Sequence, residues 1–146
     1  YFKHILGALS SPPFHTEYVY FPDTSQGVPS SPLDQNPKLG RFFHGCLGAI
    51  DGSHIHLSAR ALNQEAFQNQ KGFTSQNCLF VCDFDMQFIY TLTGWEGSAS
   101  DVQVSDAALA KDLKIPNSYY LLADLGFPHQ EGILVPYQNK YYHLAE

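Results

Sequence analysis

Apolar and polar positions change their spacing several times along the chain, and each change marks an element. Residues 1 to about 9, beginning Tyr1-Phe2-Lys3-His4-Ile5-Leu6, fit one or two turns of an amphipathic helix. Ser10-Ser11-Pro12-Pro13 ends it, because the residue before a proline avoids helical geometry. Residues 10–40 hold six of the nine prolines with many Ser and Asp, the composition of an extended linker skirting a domain; Tyr18-Val19-Tyr20-Phe21 is placed there as an edge strand. A compact unit begins near Phe42, with a first strand predicted over about 47–57. In the polar stretch 58–70 only Leu62, Ala66 and Phe67 keep a loose helical spacing. Residues 71–75 turn into a second strand over 77–82, and Asp83-Phe84-Asp85-Met86 is a hairpin turn into a third over 87–93. Residues 94–100 read as a glycine turn, and 101–113 as a helix with Val102, Ala108, Leu109 and Leu113 on its apolar side. Ser100 or Asp101 caps that helix, and Pro116 lies beyond its end. A fourth strand over 119–123 and a short fifth over 133–136 complete the pattern.

Short connections make the first three strands antiparallel neighbours, and a helix before the fourth returns the chain in parallel. The order β-β-β-α-β plus one more strand is an α/β, ribonuclease-H-like arrangement: three antiparallel strands extended by parallel strands, with flanking helices. It places the first strand beside the end of the fourth. With 146 residues, 44% of them apolar, the chain can bury one core. No apolar run approaches the roughly 18 residues that span a bilayer, so no membrane partner is expected. Three cysteines, Cys46, Cys78 and Cys82, show no tight pairing pattern and suit reduced thiols in a nuclear or cytosolic setting. A net charge of -6 gives this segment alone no electrostatic attraction for nucleic acid. Both ends have the look of cuts in a longer protein.

The chemistry centres on Leu47-Gly48-Ala49-Ile50-Asp51-Gly52-Ser53-His54-Ile55-His56-Leu57, an apolar run with one carboxylate in its middle. An acid inside a central strand is costly unless it is paired or bound to a cation, which makes Asp51 a candidate metal ligand. Two further acids sit in similar settings: Asp101 at the start of the helix, and Asp124 where the strand 119–123 is broken by Leu125-Gly126-Phe127-Pro128. Strand-end acids are well placed to converge at one edge of a sheet. Other polar residues have plainer readings. His54 and His56 share a strand face, a spacing open to Zn²⁺, but no third ligand has a matching position. Cys78 and Cys82 suit buried small apolar positions. Asp83 and Asp85 serve the hairpin turn, and neither Ser53 nor Ser98 sits in a nucleophile elbow. Trp95 and Glu96 face either DNA or the metal shell, or pack their own turn, and Lys71 faces either a phosphate or solvent.

Five stretches, Gly48-Ala49-Ile50-Asp51-Gly52-Ser53-His54, Asn69-Gln70-Lys71-Gly72-Phe73-Thr74-Ser75-Gln76-Asn77, Cys82-Asp83-Phe84-Asp85-Met86, Gly94-Trp95-Glu96-Gly97-Ser98-Ala99-Ser100-Asp101 and Tyr120-Leu121-Leu122-Ala123-Asp124-Leu125-Gly126-Phe127-Pro128, closely resemble in order the blocks of PIF/Harbinger-type DDE transposases and the nucleases derived from them. The resemblance divides the chain into 1–40, a helix end and Pro/Ser-rich linker, and 41–146, a partial DDE endonuclease domain of ribonuclease-H-like fold, incomplete at its C-terminus. It implies catalytic and metal-binding roles for Asp51, Asp101 and Asp124, with Mg²⁺ or Mn²⁺ as cofactor, and phosphodiester hydrolysis and strand transfer by a two-metal mechanism. Asp51 would bridge two ions and Asp124 would bind one, while Asp101 is either a ligand or the cap of its helix. The chain departs from the family at Phe127, usually Tyr, and at Gln70, often basic. The family's last acid, a Glu on a later helix, would fall beyond Glu146. Implied partners are DNA at transposon ends, a Myb-like DNA-binding protein and a second copy of the chain, and the implied location is the nucleus. The rival readings are a catalytically inactive remnant acting as an interaction module, and a structural zinc protein.

Overall fold

The sheet grows outward from β1 (Cys46–His56), its central strand. In the computed structural model, which describes residues 1–25, 27, 32–33, 36–57 and 64–137, five strands are ordered β3-β2-β1-β4-β5. β2 (Ser75–Cys82) runs antiparallel to β1, and β3 (Phe88–Glu96) antiparallel to β2. On the other side, β4 (Tyr120–Leu122) and β5 (Ile133–Leu134) are added in parallel. The crossover between the halves contains helix α4 (Asp101–Lys111), packed across β2 and β3. This is the mixed α/β sheet that the strand and helix order predicts.

The two-residue period of the strands sorts one face of the sheet into the core. Ile50 of β1 is paired with Val81 of β2, and both are buried with Leu79 against Val104 and Ala108 of α4. Leu121 and Ile133 continue this layer, and Leu113 and Phe127 close it from the connecting segments. Each such side chain contributes roughly 1.5–3 kcal/mol by leaving water.

Several predicted boundaries move. The linker is not wholly extended: beyond α1 (Phe2–Leu9) it forms a second helix, α2 (Phe14–Tyr18). Pro13 precedes that helix, where its missing N–H costs nothing, and Phe14 packs on Tyr18 with ring centroids 4.6 Å apart. Tyr18 therefore belongs to a helix and no edge strand forms over 18–21, although Phe21 packs against the core. The polar stretch contributes α3 (Gln64–Phe67), while Leu62 lies outside the described residues.

The largest correction concerns β3, which continues through Gly94-Trp95-Glu96 instead of turning there. Asn77 pairs with Trp95 and Leu79 with Leu92, so one residue of β2 faces two of β3. That is a β-bulge, and Gly94 supplies its left-handed backbone at φ 94°. Trp95 packs against the core, which assigns its indole to the sheet. The chain reverses one step later at Gly97, where any Cβ would lie 2.4 Å from the Phe67 carbonyl oxygen and 2.6 Å from that of Ser75.

Candidate functional site

Asp51 and Asp124 are brought to one level by strand register. Ala49 of β1 pairs in parallel with Leu122 of β4, so two residues further along each chain stand Asp51 and Asp124. Parallel partners on neighbouring strands share a face at a spacing of about 4.8 Å, and this step carries both acids to the same end of the sheet. The register depends on Gly48, beside which the β1–β4 pairing shifts. Asp124 lies just past β4 in an exposed turn that it organises itself, its Oδ1 accepting the Gly126 N–H at 2.8 Å.

Asp51 accepts the N–H of Gly52 at 2.9 Å, which folds its carboxyl back along the strand. Its pKa is pushed up, first by partial loss of water around the carboxyl and then by the negative charges of Asp124 and Asp101, with the Gly52 N–H opposing. The residue as a whole is open to solvent. Of the two acids that act on Asp51, Asp124 acts more strongly than Asp101. Among the described residues none of the three has an ion-pair partner.

Asp101 approaches β1 from the helix side. Ser100 is the cap of α4: its Oγ accepts the Gln103 N–H at 3.3 Å, and Gln103 Oε1 accepts the Ser100 N–H at 3.0 Å. Asp101 is thus the first helical residue, and its carboxylate is free of the capping duty. It sits over Gly52, where a Cβ would come within 2.0 Å of Asp101 Oδ1, and that same oxygen accepts a hydrogen bond from Asn77 Nδ2 at 2.8 Å. Asn77 is 1% exposed and its Nδ2 also donates to the Ala99 carbonyl at 3.0 Å. This clamp was invisible in the sequence because its members lie up to 49 positions apart, from Gly52 to Asp101.

The three carboxylates offer the oxygen donors that a hard divalent ion favours. They are not gathered into one three-ligand site: among the described residues no group of three or more His, Cys, Asp or Glu side chains could hold a metal ion. His54 Nδ1 lies 3.1 Å from Ser75 Oγ, and the His56 ring stacks on Phe73 at 4.0 Å. Asp83 serves its turn as expected, its Oδ1 accepting the N–H groups of Asp85 and Gln87 at 3.0 and 2.9 Å. No helix among the described residues is long and apolar enough to cross a membrane.

A family described as DDE superfamily endonuclease matches residues 50–145. The chain is 27% identical over 124 residues to the protein named "Putative nuclease HARBI1" of Rattus norvegicus, a match covering 83% of this chain and 35% of that protein. Its Homo sapiens counterpart is 28% identical over 95 residues, covering 63% and 27%. "Protein ALP1-like" of Arabidopsis thaliana is 32% identical over 114 residues, covering 65% and 28%. The chain therefore spans about a third of the length of the curated relatives it matches. No solved structure matches it significantly.

Proposed function

This chain belongs to the DDE superfamily of endonucleases, as a Harbinger-type member, and from that premise we propose that it forms the core of a divalent-metal-dependent nuclease that cuts DNA at transposon ends. The single observation carrying the metal reading is the strand register that brings Asp51 of β1 level with Asp124 just past β4, where the charge of Asp124 helps to push the Asp51 pKa up. Asp51 and Asp124 would hold Mg²⁺ or Mn²⁺; Asp101, which stands over the neighbouring Gly52, is the third acid of this reading. The chemistry supplied by such an ion is neutralisation of charge on a leaving phosphate oxygen and activation of water. The residues themselves set position: β1 holds Asp51 rigidly, and the Gly126 N–H orients Asp124. With a net charge of -6, phosphate contacts have to come from other parts of the complete protein, from a Myb-like DNA-binding partner or from a second copy of the chain. A nuclear location follows from a chromosomal substrate, and strand transfer would complete the reaction.

The test is Mg²⁺- or Mn²⁺-dependent nicking of DNA by the complete protein, abolished in Asp51→Ala and in Asp124→Ala. Undiminished cutting by both variants would refute the assignment. The rival reading, a catalytically silent interaction module, is favoured by the lack of a closed three-ligand group among the described residues. It predicts no divalent-dependent nicking by the parent.

A further inference from the structure

We infer that an apolar groove beside Asp124 is the subsite for one unpaired nucleobase of the DNA strand whose phosphate lies at Asp51 and Asp124. The inference deepens the reading above and rests on it. Helix α4 covers only one face of the sheet, the face of Ile50, Val81 and Leu121. Strand alternation turns Ala49, Asp51, Leu122 and Leu134 to the other face. Ala49 pairs with Leu122, and Leu122 with Leu134, so these three form an apolar row across β1, β4 and β5. The row stands one rung, about 7 Å, before Asp51 on β1 and before Asp124 past β4. Ala49 and Leu134 are exposed.

At the β5 end of the row the chain opens into a groove of about 740 Å³, walled by Leu122, Leu134, Pro136, Tyr137 and His129. Ala123, the residue before Asp124, belongs to the same wall, so the groove is continuous with the acids. It lies at the carboxyl ends of the parallel strands β4 and β5, the end of an α/β sheet that takes ligands. Charge and shape select the occupant. None of the described residues that wall the groove is Lys or Arg, and the chain carries a net charge of -6, so a phosphate finds no partner there. A base is neutral and flat, and every base has a ring face that stacks on an aromatic side chain. Tyr137, 81% exposed, supplies such a ring, and the His129 imidazole supplies a nitrogen for the base edge. An acidic chain thus grips DNA by its bases, next to the phosphate that the metal would hold.

Fluorescence anisotropy of a labelled single-stranded oligothymidylate, titrated with the full-length protein in chelator so that nothing is cut, tests this. Tyr137→Ala should weaken binding about 5- to 150-fold, the worth of one base–aromatic stack, while Tyr137→Phe keeps the parental affinity. The loss should be the same at low and high salt, because stacking releases no counterions, and it should vanish on an abasic strand of equal length. Leu134→Ser leaves the charge unchanged and should weaken binding in the same base-dependent way, so the test survives if Tyr137→Ala does not fold. Parental affinity in both variants, or an equal loss on base-bearing and abasic strands, overturns the subsite, and Mn²⁺-dependent nicking by the parent then leaves the nuclease reading standing. Two other occupants would also overturn it: a further segment of the chain, shown by melting more than about 4 °C lower in Tyr137→Ala at parental affinity, or a second copy, shown by a dimer that Leu134→Ser splits. A parent that neither holds the single strand nor nicks duplex DNA with Mn²⁺ defeats both readings.

Discussion

Gly48→Ala tests how the site is registered. Gly48 sits in β1 where the pairing with β4 shifts, and a Cβ built there would lie 2.0 Å from the Cys82 carbonyl oxygen, 2.9 Å from its carbon and 3.1 Å from Asp83 Cα. Heavy atoms rest in contact at roughly 3.5 Å, so the two strands must part by about 1 Å or more. The obstructing atoms are all backbone, and no rotamer change relieves them. Strands are spaced about 4.8 Å apart, so such a displacement breaks rungs between Ala49 and Cys82 and presses β1 out of its register with β4 on the other side. Overpacking of a fitted site costs about 1–3 kcal/mol, and this contact belongs at the upper end. At 2–4 °C per kcal/mol for a domain of this size, melting should fall by roughly 6–12 °C. Divalent binding should weaken with it, because the levelling of Asp51 with Asp124 passes through this register. Gly7→Ala is the control: nothing lies within 4 Å of its Cβ position in α1, so it should stabilise by about 0.5–1 kcal/mol. A Gly48→Ala protein melting within about 2 °C of the parent would refute the reasoning, because the clash would then have been absorbed without strain.

Asp51→Asn should raise the melting temperature of the metal-free protein at neutral pH. The folded carboxyl binds its proton more tightly than the ordinary value of 3.8, so its contribution to stability is present below 3.8 and lost as pH rises through the higher folded-state pKa. The advantage of the variant should therefore vanish when melting is followed down to acid pH, and a constant gap would count against the charge argument. Mn²⁺ at 100 times its dissociation constant should stabilise the complete protein by about 2.7 kcal/mol, reversed by chelator and absent in Asp124→Ala. Phe127→Ala, at 3% exposure in the core, should cost about 3–5 kcal/mol in urea unfolding. Ser100→Ala removes the helix cap and should cost about 1 kcal/mol; no loss would mean that the Gln103 interaction alone secures the start of α4.

What the sequence determined by itself was whatever depends on local spacing. The period of apolar residues marked β1, β2, α4 and β4 to within a residue or two, and the short connections dictated antiparallel pairing for the first three strands and parallel pairing across the helix. The lone acid in an apolar strand singled out Asp51, and the break after Ala123 singled out Asp124. Local signals failed where one residue type serves two geometries: glycine and tryptophan at 94 and 95 suit a turn as well as a bulge, and only pairing with β2 decided between them. Proline at 13 marked the end of one helix and also the start of another. Tertiary structure alone decided the level of Asp51 with Asp124, the placing of Asp101 over Gly52, and the grip of Asn77 on that carboxylate. Those relations are set by register and by the space one backbone leaves for another, and neither quantity is carried by neighbours along the chain.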